Sequence, residues 1–499
     1  MSLFPKPFSI LSAFFALFLP ITARAEIDKA IDQAVSPLAE ILGKWVFVSV
    51  PLFGSDIKIV VAVLIGASIF CTIYFKFINI RGFKHAIDIV SGKTPESSQP
   101  GAPGEVSHFQ ALTTACGATV GLGNIAGVAI AVSQGGPGAA FWMMVAGLFG
   151  MSLKFCECTL GVKYRKENPD GSVSGGPMYY LSRGFEEMGM KKLGKVLASL
   201  FAVFCVGGAI GAGCLFQANQ SFTQFSEISG GGATSGWIFG VVVAIVLGLV
   251  IIGGIKQIGR VTSKIVPFMA IVYVGAALVI IGLRFDQVPE ALSLIFHGAF
   301  TPEGVEGGAL GVMIWGFQRA AFSNEAGLGS AAIAHSTVKT NYPATEGLVS
   351  LLEPFLDTVV ICSITALVIV LTGTYQITDG GMAGIEITSA AFASSISWFP
   401  YVLAFAAILF AFSSMISWSY YGLKSWTFLF GETESNKLTF NAIFCVCVAI
   451  GSAISLSSVI SLSDALIFLM AFVNMIGIFA MINKVKGELK TYKDSTNGF

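Results

Sequence analysis

The chain has 499 residues, 54% hydrophobic and only 12% charged, and its 29 basic and 29 acidic residues cancel. Soluble domains carry charge on about a quarter of their residues, which excludes a water-soluble globule here. A neutral chain also lacks the basic field that a nucleic-acid partner requires.

Residues 1–25 read as a secretory signal. Lys6 supplies the positive start, an apolar run covers 8–19, Pro20 ends it, and Ala23 and Ala25 mark a cleavage site before Glu26. The run is shorter than the ~20 residues that cross a bilayer, which favours a cleaved leader over an anchor. Residues 26–56 then lie outside the cytoplasm. Ile27, Ile31, Ala34, Leu38, Ile41, Leu42 and Trp45 recur at helical spacing, so this stretch is predicted to be an amphipathic helix on the membrane surface.

Eleven apolar runs long enough to span come next, segments 1 to 11: 57–78, 107–133, 138–161, 194–222, 236–255, 262–283, 308–335, 346–373, 398–422, 438–457 and 462–483. Most connections are short. Two on the outside, 284–307 and 374–397, are long, and the second is predicted to carry a short helix over 384–394. Lysines and arginines gather in alternate connections, for example Arg81, Lys84 and Lys93, then Lys163, Arg165 and Lys166, then Lys256, Arg260 and Lys264. The positive-inside rule places these connections and the tail 484–499 in the cytoplasm. The mature N-terminus is then outside.

The chain divides into an extra span with its cytoplasmic loop (57–103) and two blocks of five segments, 104–283 and 284–483. Five is odd, so the blocks run in opposite directions across the membrane: an inverted repeat, the plan of alternating-access transporters. Each block opens on a segment interrupted by Gly-Leu-Gly, at Gly121-Leu122-Gly123 in segment 2 and Gly327-Leu328-Gly329 in segment 7. Glycine lets a helix unwind and a ligand approach the backbone. Unwound backbone survives in lipid only where protein or a cavity satisfies it. A matched pair of breaks is the pattern of a midplane binding site. The alternative for segment 2 alone is Gly-x-x-x-Gly packing, which Gly117–Gly121 and Gly123–Gly127 both fit.

If 117–123 unwinds, an outer half-helix starts near Asn124 and its free N–H groups suit a carboxylate, while the unwound carbonyls suit a hard cation such as Na⁺. In segment 7, Glu325 at mid-membrane depth either serves a cation path or pins its half-helix. Asn324 either accepts a substrate ammonium or stabilises the break. Arg319, about a turn outward, is an outer-gate cation or a vestibule charge. Segment 9 offers adjacent hydroxyls at Ser413 and Ser414, with Trp418 on the same face as Ser414. Gln217 in segment 4 is helix glue or a ligand contact. Glu157, Glu353 and Asp357 are intramembrane acids without an assigned role. The nine cysteines and four histidines lack metal-ligand spacing, so the thiols read as small buried hydrophobes. No nucleophile–base pair suggests an enzyme, and no ring of charges suggests a channel.

The blocks Gly104-Glu105-Val106-Ser107-His108, Gly121-Leu122-Gly123-Asn124, Gly135-Gly136-Pro137-Gly138, Ser174-Gly175-Gly176-Pro177-Met178, the stretch 322–329 and Trp418 to Gly422 occur in order. Together they resemble the alanine or glycine:cation symporter family. Met144 and Ser414 depart from that pattern, where the family usually has Trp and often has Thr. The resemblance implies an all-α membrane protein of the leucine-transporter type: a 5+5 inverted repeat with discontinuous first helices, plus one extra N-terminal span. It implies uptake of alanine or glycine, D-alanine among the candidates, driven by Na⁺ or less often H⁺, with no cofactor or obligate protein partner. By motif position it implies Na⁺ at the carbonyls of Gly117, Val120 and Phe410 and the hydroxyls of Ser413 and Ser414. Substrate would contact Thr119, Gly121, Gly123, Gln217, Phe322, Asn324, Ser414 and Trp418. A multi-pass protein of a bacterial inner membrane is expected. Serine, or another small cargo of the same fold, remains open at this point.

Overall fold

Apolar runs this long pair their backbone groups internally, because lipid offers no hydrogen-bond partner, and helix is the local solution. The computed structural model describes residues 36–496 apart from 53–54, 98, 100, 231–232, 302–307, 377–383 and 454–456. The leader lies outside the described residues. Every apolar segment coincides with helix: Ile59–Tyr74, His108–Thr119 with Ala126–Gly135, Gly138–Lys163, Lys191–Ile210 continued by Gln217–Ser229, Ala233–Ile251, Gly254–Leu283, Gly308–Asn324 with Ala331–His335, Pro343–Val349 continued through Ser363–Thr372, Phe399–Phe430, Glu434–Gly451 and Ser457–Ser495. Among the described residues six helices are long and apolar enough to cross a bilayer unaided, and a seventh if the bent pair in segment 2 is one span.

The described residues differ from the sequence reading in two connections and agree with it in a third. The predicted surface helix over 26–56 is helical at 36–46, and the chain then turns into a hairpin of Ser49–Leu52 and Ser55–Lys58. Val46, Val48 and Val50 are β-branched and Pro51 cannot continue a helix, so the pattern changes period there. The outer connection 284–307 holds a helix, Val288–Phe300, which packs on Gly138–Lys163. The short helix predicted over 384–394 forms as Ile385–Ala393, and Thr388 Oγ1 donates to the Ile125 carbonyl at 3.1 Å, which seats it on the outer half of segment 2.

Two departures from regular α-helix position the site. Segment 4 carries a π turn at Gly211–Phe216 and segment 8 another at Phe355–Cys362. Each inserts an extra residue per turn and rotates the rest of its helix, a device common at functional sites. The first precedes Gln217; the second contains Asp357. Glycines set close helix contacts: Gly147 lies against Thr358 and Gly161 against Ala332. The start of segment 2 and the end of segment 7 are stapled together. Glu105 N donates to Thr337 O at 2.7 Å, Lys339 N to Val106 O at 2.9 Å, and Arg165 caps the carbonyls of Ser336, Val338, Pro103 and Thr340.

Candidate functional site

Segment 2 breaks after Thr119, so Val120 to Gly123 leave the α-helix as expected while Gly117 to Thr119, expected to unwind with them, stay helical. Its inner half runs His108–Thr119 under a Ser107/Gln110 capping box, and a turn at Leu122–Asn124 leads into the outer half, bent by 56°. Val120 leaves the helix at φ −76°, ψ 83°. Gly121 is required by proximity: a Cβ there would run into Ser414 Oγ, with Gln217 Oε1 3.5 Å away. Asn124 Oδ1 accepts the Gly121 N–H at 2.8 Å. That donor is therefore taken up within the break, as are the N–H groups of Asn124 and Ile125, which the sequence reading leaves free and which donate to the carbonyls of Gly121 and Leu122 at 3.2 Å.

Segment 7 breaks from Glu325 to Ser330, between Gly308–Asn324 and Ala331–His335. Glu325 itself sits at φ 56°, a left-handed conformation that costs a non-glycine residue about 1–2 kcal/mol. Gly327 and Gly329 take φ 90° and 86° at no such cost. Glu325 is held at both oxygens: Trp418 Nε1 donates to Oε1 at 3.1 Å and Ser330 Oγ to Oε2 at 2.5 Å. This is the pinning role of the two open in the sequence. Asn324 likewise stabilises the break, its Nδ2 donating to Thr358 Oγ1 at 3.0 Å and its Oδ1 accepting the Ala326 N–H at 2.9 Å.

Asp357, from the π turn of segment 8, joins the two breaks. Its Oδ1 accepts from Asn124 Nδ2 at 2.7 Å; its Oδ2 accepts from Ser323 Oγ at 2.9 Å and Thr358 Oγ1 at 2.6 Å. A fully buried carboxylate is tolerated only with such partners. The sequence pairs Glu353 and Asp357 on one helix face. Asp357 serves the breaks, and Glu353, about one turn earlier, lies 3.1 Å from Lys154.

The oxygens assigned to the cation converge in part. Ser413 Oγ lies 3.3 Å from the Gly117 carbonyl and 2.9 Å from the Phe410 carbonyl. Ser414 Oγ lies 3.3 Å from the Ala118 carbonyl. Hydroxyls and carbonyls are the hard ligands a monovalent cation such as Na⁺ takes at such breaks. Ser417, one turn further on, also faces Gly117, and its buried hydroxyl has no hydrogen-bond partner among the described residues. Sequence reasoning passed over it, although its i+4 spacing from Ser413 is a usable signal.

The substrate-side residues fall into two groups. Gly121, Ser414 and Gln217 meet at one wall, where Gln217 Oε1 is buried and unpaired among the described residues. Gly123 faces Phe322 and Ser323, and the Phe322 ring meets Phe216 edge-on at 6.4 Å. Thr119 bonds back to the carbonyls of Ala115 and Cys116 at 3.4 Å. Trp418 backs onto Gly213, where a Cβ would collide with it. Asn324 gives its amide N–H to Thr358 of segment 8. All nine cysteines are free and seven are buried. The feature the sequence left unread is a chain of buried charges on the inner side of the segment 7 break, running from His108 through Glu346 and His335 to Glu353 and Lys154.

Residues 42–498 match the sodium:alanine symporter family. The chain is 39% identical to the sodium/alanine symporter AgcS of Methanococcus maripaludis over 86% of its own length and 93% of that protein. It is 34% identical to a probable sodium/glutamine symporter, GlnT of Bacillus subtilis, over 87% and 88% of the two chains. Among solved structures it is similar to MhsT in complex with L-phenylalanine, with a TM-score of 0.49 and 16% identity, over 77% of this chain and 100% of that one. The chain belongs to the sodium:alanine symporter family: it is a multi-pass membrane transporter that carries an amino acid together with a cation, and not an enzyme.

Proposed function

We propose that this transporter takes up alanine or glycine by symport with Na⁺, and that its eleven segments all cross the membrane as a 5+5 inverted repeat behind one extra N-terminal span. The observation that carries the reading is the meeting of the Ser413 hydroxyl with the carbonyls of Gly117 and Phe410 at an unwound helix. In this reading Na⁺ takes those groups together with the Val120 carbonyl and the Ser414 hydroxyl. No other cofactor takes part. The amino acid lies against Thr119, Gly121, Gly123, Gln217, Phe322, Asn324, Ser414 and Trp418.

Na⁺ steadies the unwound part of segment 2, which holds the remaining backbone donors ready for the substrate carboxylate. Ion and amino acid then reach full affinity only together, and that mutual dependence is the coupling free energy symport needs. Rocking of one bundle against the other exposes the loaded site to the inside. Small cargo is favoured by crowding at the break: Ser414 and Gln217 stand against Gly121, and Phe322, edge-on to Phe216, stands against Gly123. Since one relative is named a glutamine symporter, glutamine is the informative competitor.

The test is uptake of radiolabelled alanine, glycine and glutamine into proteoliposomes, with Na⁺ and pH gradients imposed separately. Concentrative alanine uptake under the Na⁺ gradient alone supports the reading. Uptake driven by the pH gradient alone, or glutamine carried in preference to alanine, contradicts it.

A further inference from the structure

Six ionisable side chains that the transport site does not use meet on the inner side of the segment 7 break. His108 Nδ1 pairs with Glu346 Oε2. The other Glu346 oxygen faces His335 Nδ1 at 2.6 Å. His335 Nε2 lies 3.5 Å from Glu353. Lys154 Nζ lies 3.1 Å from Glu353 and 3.6 Å from Glu157. Glu157 Oε2 ends the chain at the break, accepting the Gly329 N–H at 3.1 Å and Asn474 Nδ2 at 3.0 Å; the same Asn474 amide donates to the Gly327 carbonyl at 2.9 Å. All but His108, which is 2% exposed, have no exposed surface. The cluster therefore fastens the inner half of segment 7 to segments 2, 3, 8 and 11.

Three carboxyl groups face one lysine and two imidazoles, so with all three carboxylates ionised the six groups are neutral when both imidazoles are protonated. A net charge buried this deeply is costly. The contacts agree with that state. His335 Nδ1 meets a Glu346 oxygen within hydrogen-bond distance and its Nε2 faces Glu353 outside hydrogen-bond geometry, while His108 lies between Glu346 and the Glu96 carbonyl at 3.3 Å.

The other groups around the cluster do not relax this requirement. Arg165 spends its guanidinium on main-chain carbonyls and, among the described residues, pairs with no carboxylate within 4.0 Å. Glu325 and Asp357 are the further carboxyl groups on the side of the breaks, and the thiols of Cys116 and Cys158 and the phenols of Tyr180 and Tyr421 lie nearby; none of these supplies positive charge. The contacts of Lys154 with both carboxylates lie outside hydrogen-bond geometry. Charge rather than directed bonding holds that end together.

We propose that Lys154 and His335 are positioning residues for transport: they latch the inner half of segment 7 in place, and the latch holds only while His335 carries its second proton. The proposal rests on the symport reading and on the cytoplasmic placement of the connection before His108. Losing a proton leaves a buried negative charge, releases His335 from one carboxylate and loosens the Gly327–Gly329 break against which substrate binds. Internal alkalinity then weakens substrate binding.

The test is alanine uptake into proteoliposomes at fixed external pH, with internal pH stepped from about 7 to about 9.5, across the range where a carboxylate-paired imidazole gives up its proton. For the native protein the apparent KM rises about tenfold, one pH unit of linkage, while Vmax changes less. His335→Gln has a raised KM at every pH and no pH response. Lys154→Met loses most uptake, Lys154→Arg keeps it, and Lys154→Met combined with Glu353→Gln, which restores neutrality, regains a large part. A flat native profile, a native-like profile in H335Q, or a double variant no better than K154M overturns the proposal. Native proteoliposomes that accumulate no amino acid at any pH overturn the symport reading instead.

Discussion

The indole of Trp418 donates to the Glu325 carboxylate at 3.1 Å, tying segment 9 to the break in segment 7. The same segment 9 presents Ser413 to the break in segment 2. One continuous helix thus touches both discontinuous ones, at the ion side and at the substrate side. That arrangement lets occupancy of one break be felt at the other.

Trp418→Phe keeps the ring and deletes the donor. Leaving Glu325 with one partner fewer costs about 1–3 kcal/mol, so alanine uptake falls roughly tenfold or more while the protein remains folded by size-exclusion chromatography. Trp418→Ala additionally opens the pocket. In competition assays it accepts larger neutral amino acids that the native protein rejects. An unaltered size preference in W418A removes the residue from the pocket wall.

Ser413→Ala with Ser414→Ala deletes both hydroxyls assigned to the cation. The concentration of Na⁺ giving half-maximal uptake rises by a factor within the usual range of coupling, about 5–150-fold. Uptake at saturating Na⁺ is largely restored. An unchanged Na⁺ response in the double variant refutes this ion site.

Asp357→Asn tests the bridge between the breaks. An amide cannot offer acceptors to Asn124, Ser323 and Thr358 at once. At least one buried group loses its partner, at about 1–3 kcal/mol. Transport drops for alanine and for Na⁺ alike, in contrast to the ion-selective effect of the serine variants. The comparison is read from paired alanine and ²²Na⁺ uptake.

Two glycine substitutions separate backbone need from space. Gly329 sits at φ 86° against Pro177 and Asn474, so Gly329→Ala strains the backbone and crowds its neighbours. It lowers the thermal midpoint, with at least the ~1–2 kcal/mol of a left-handed alanine. Gly121 has φ −133°, a conformation any residue adopts, and its Cβ meets only Ser414 and Gln217. Gly121→Ala leaves the thermal midpoint nearly unchanged and abolishes alanine binding.

The breaks were legible because glycine and mid-membrane Asn and Glu break a hydrophobic pattern in ways that have few other uses, and segments 2 and 7 do open at 121–123 and 325–330. The convergence of Ser413 with Gly117 and Phe410 came from the family resemblance rather than from spacing. The π turns had no sequence signal, since they alter register without altering composition. The buried charge chain was missed for a related reason. Lys154, His108, His335 and Glu346 come from four segments and look like scattered charges near membrane ends until tertiary packing brings them together. The hairpin at 49–58 lay hidden because alternation and helical spacing overlap in so short a run.

The central claim is that amino acid and Na⁺ share the two breaks and stabilise each other there. Calorimetric titration of alanine into the purified protein, at constant ionic strength with Na⁺ replaced stepwise by K⁺, tests it most directly. The account predicts that alanine affinity climbs with Na⁺ by an order of magnitude or more, in line with typical coupling of about 1–3 kcal/mol, and that S413A/S414A flattens the dependence. Equal alanine affinity in Na⁺ and K⁺ for the native protein contradicts it.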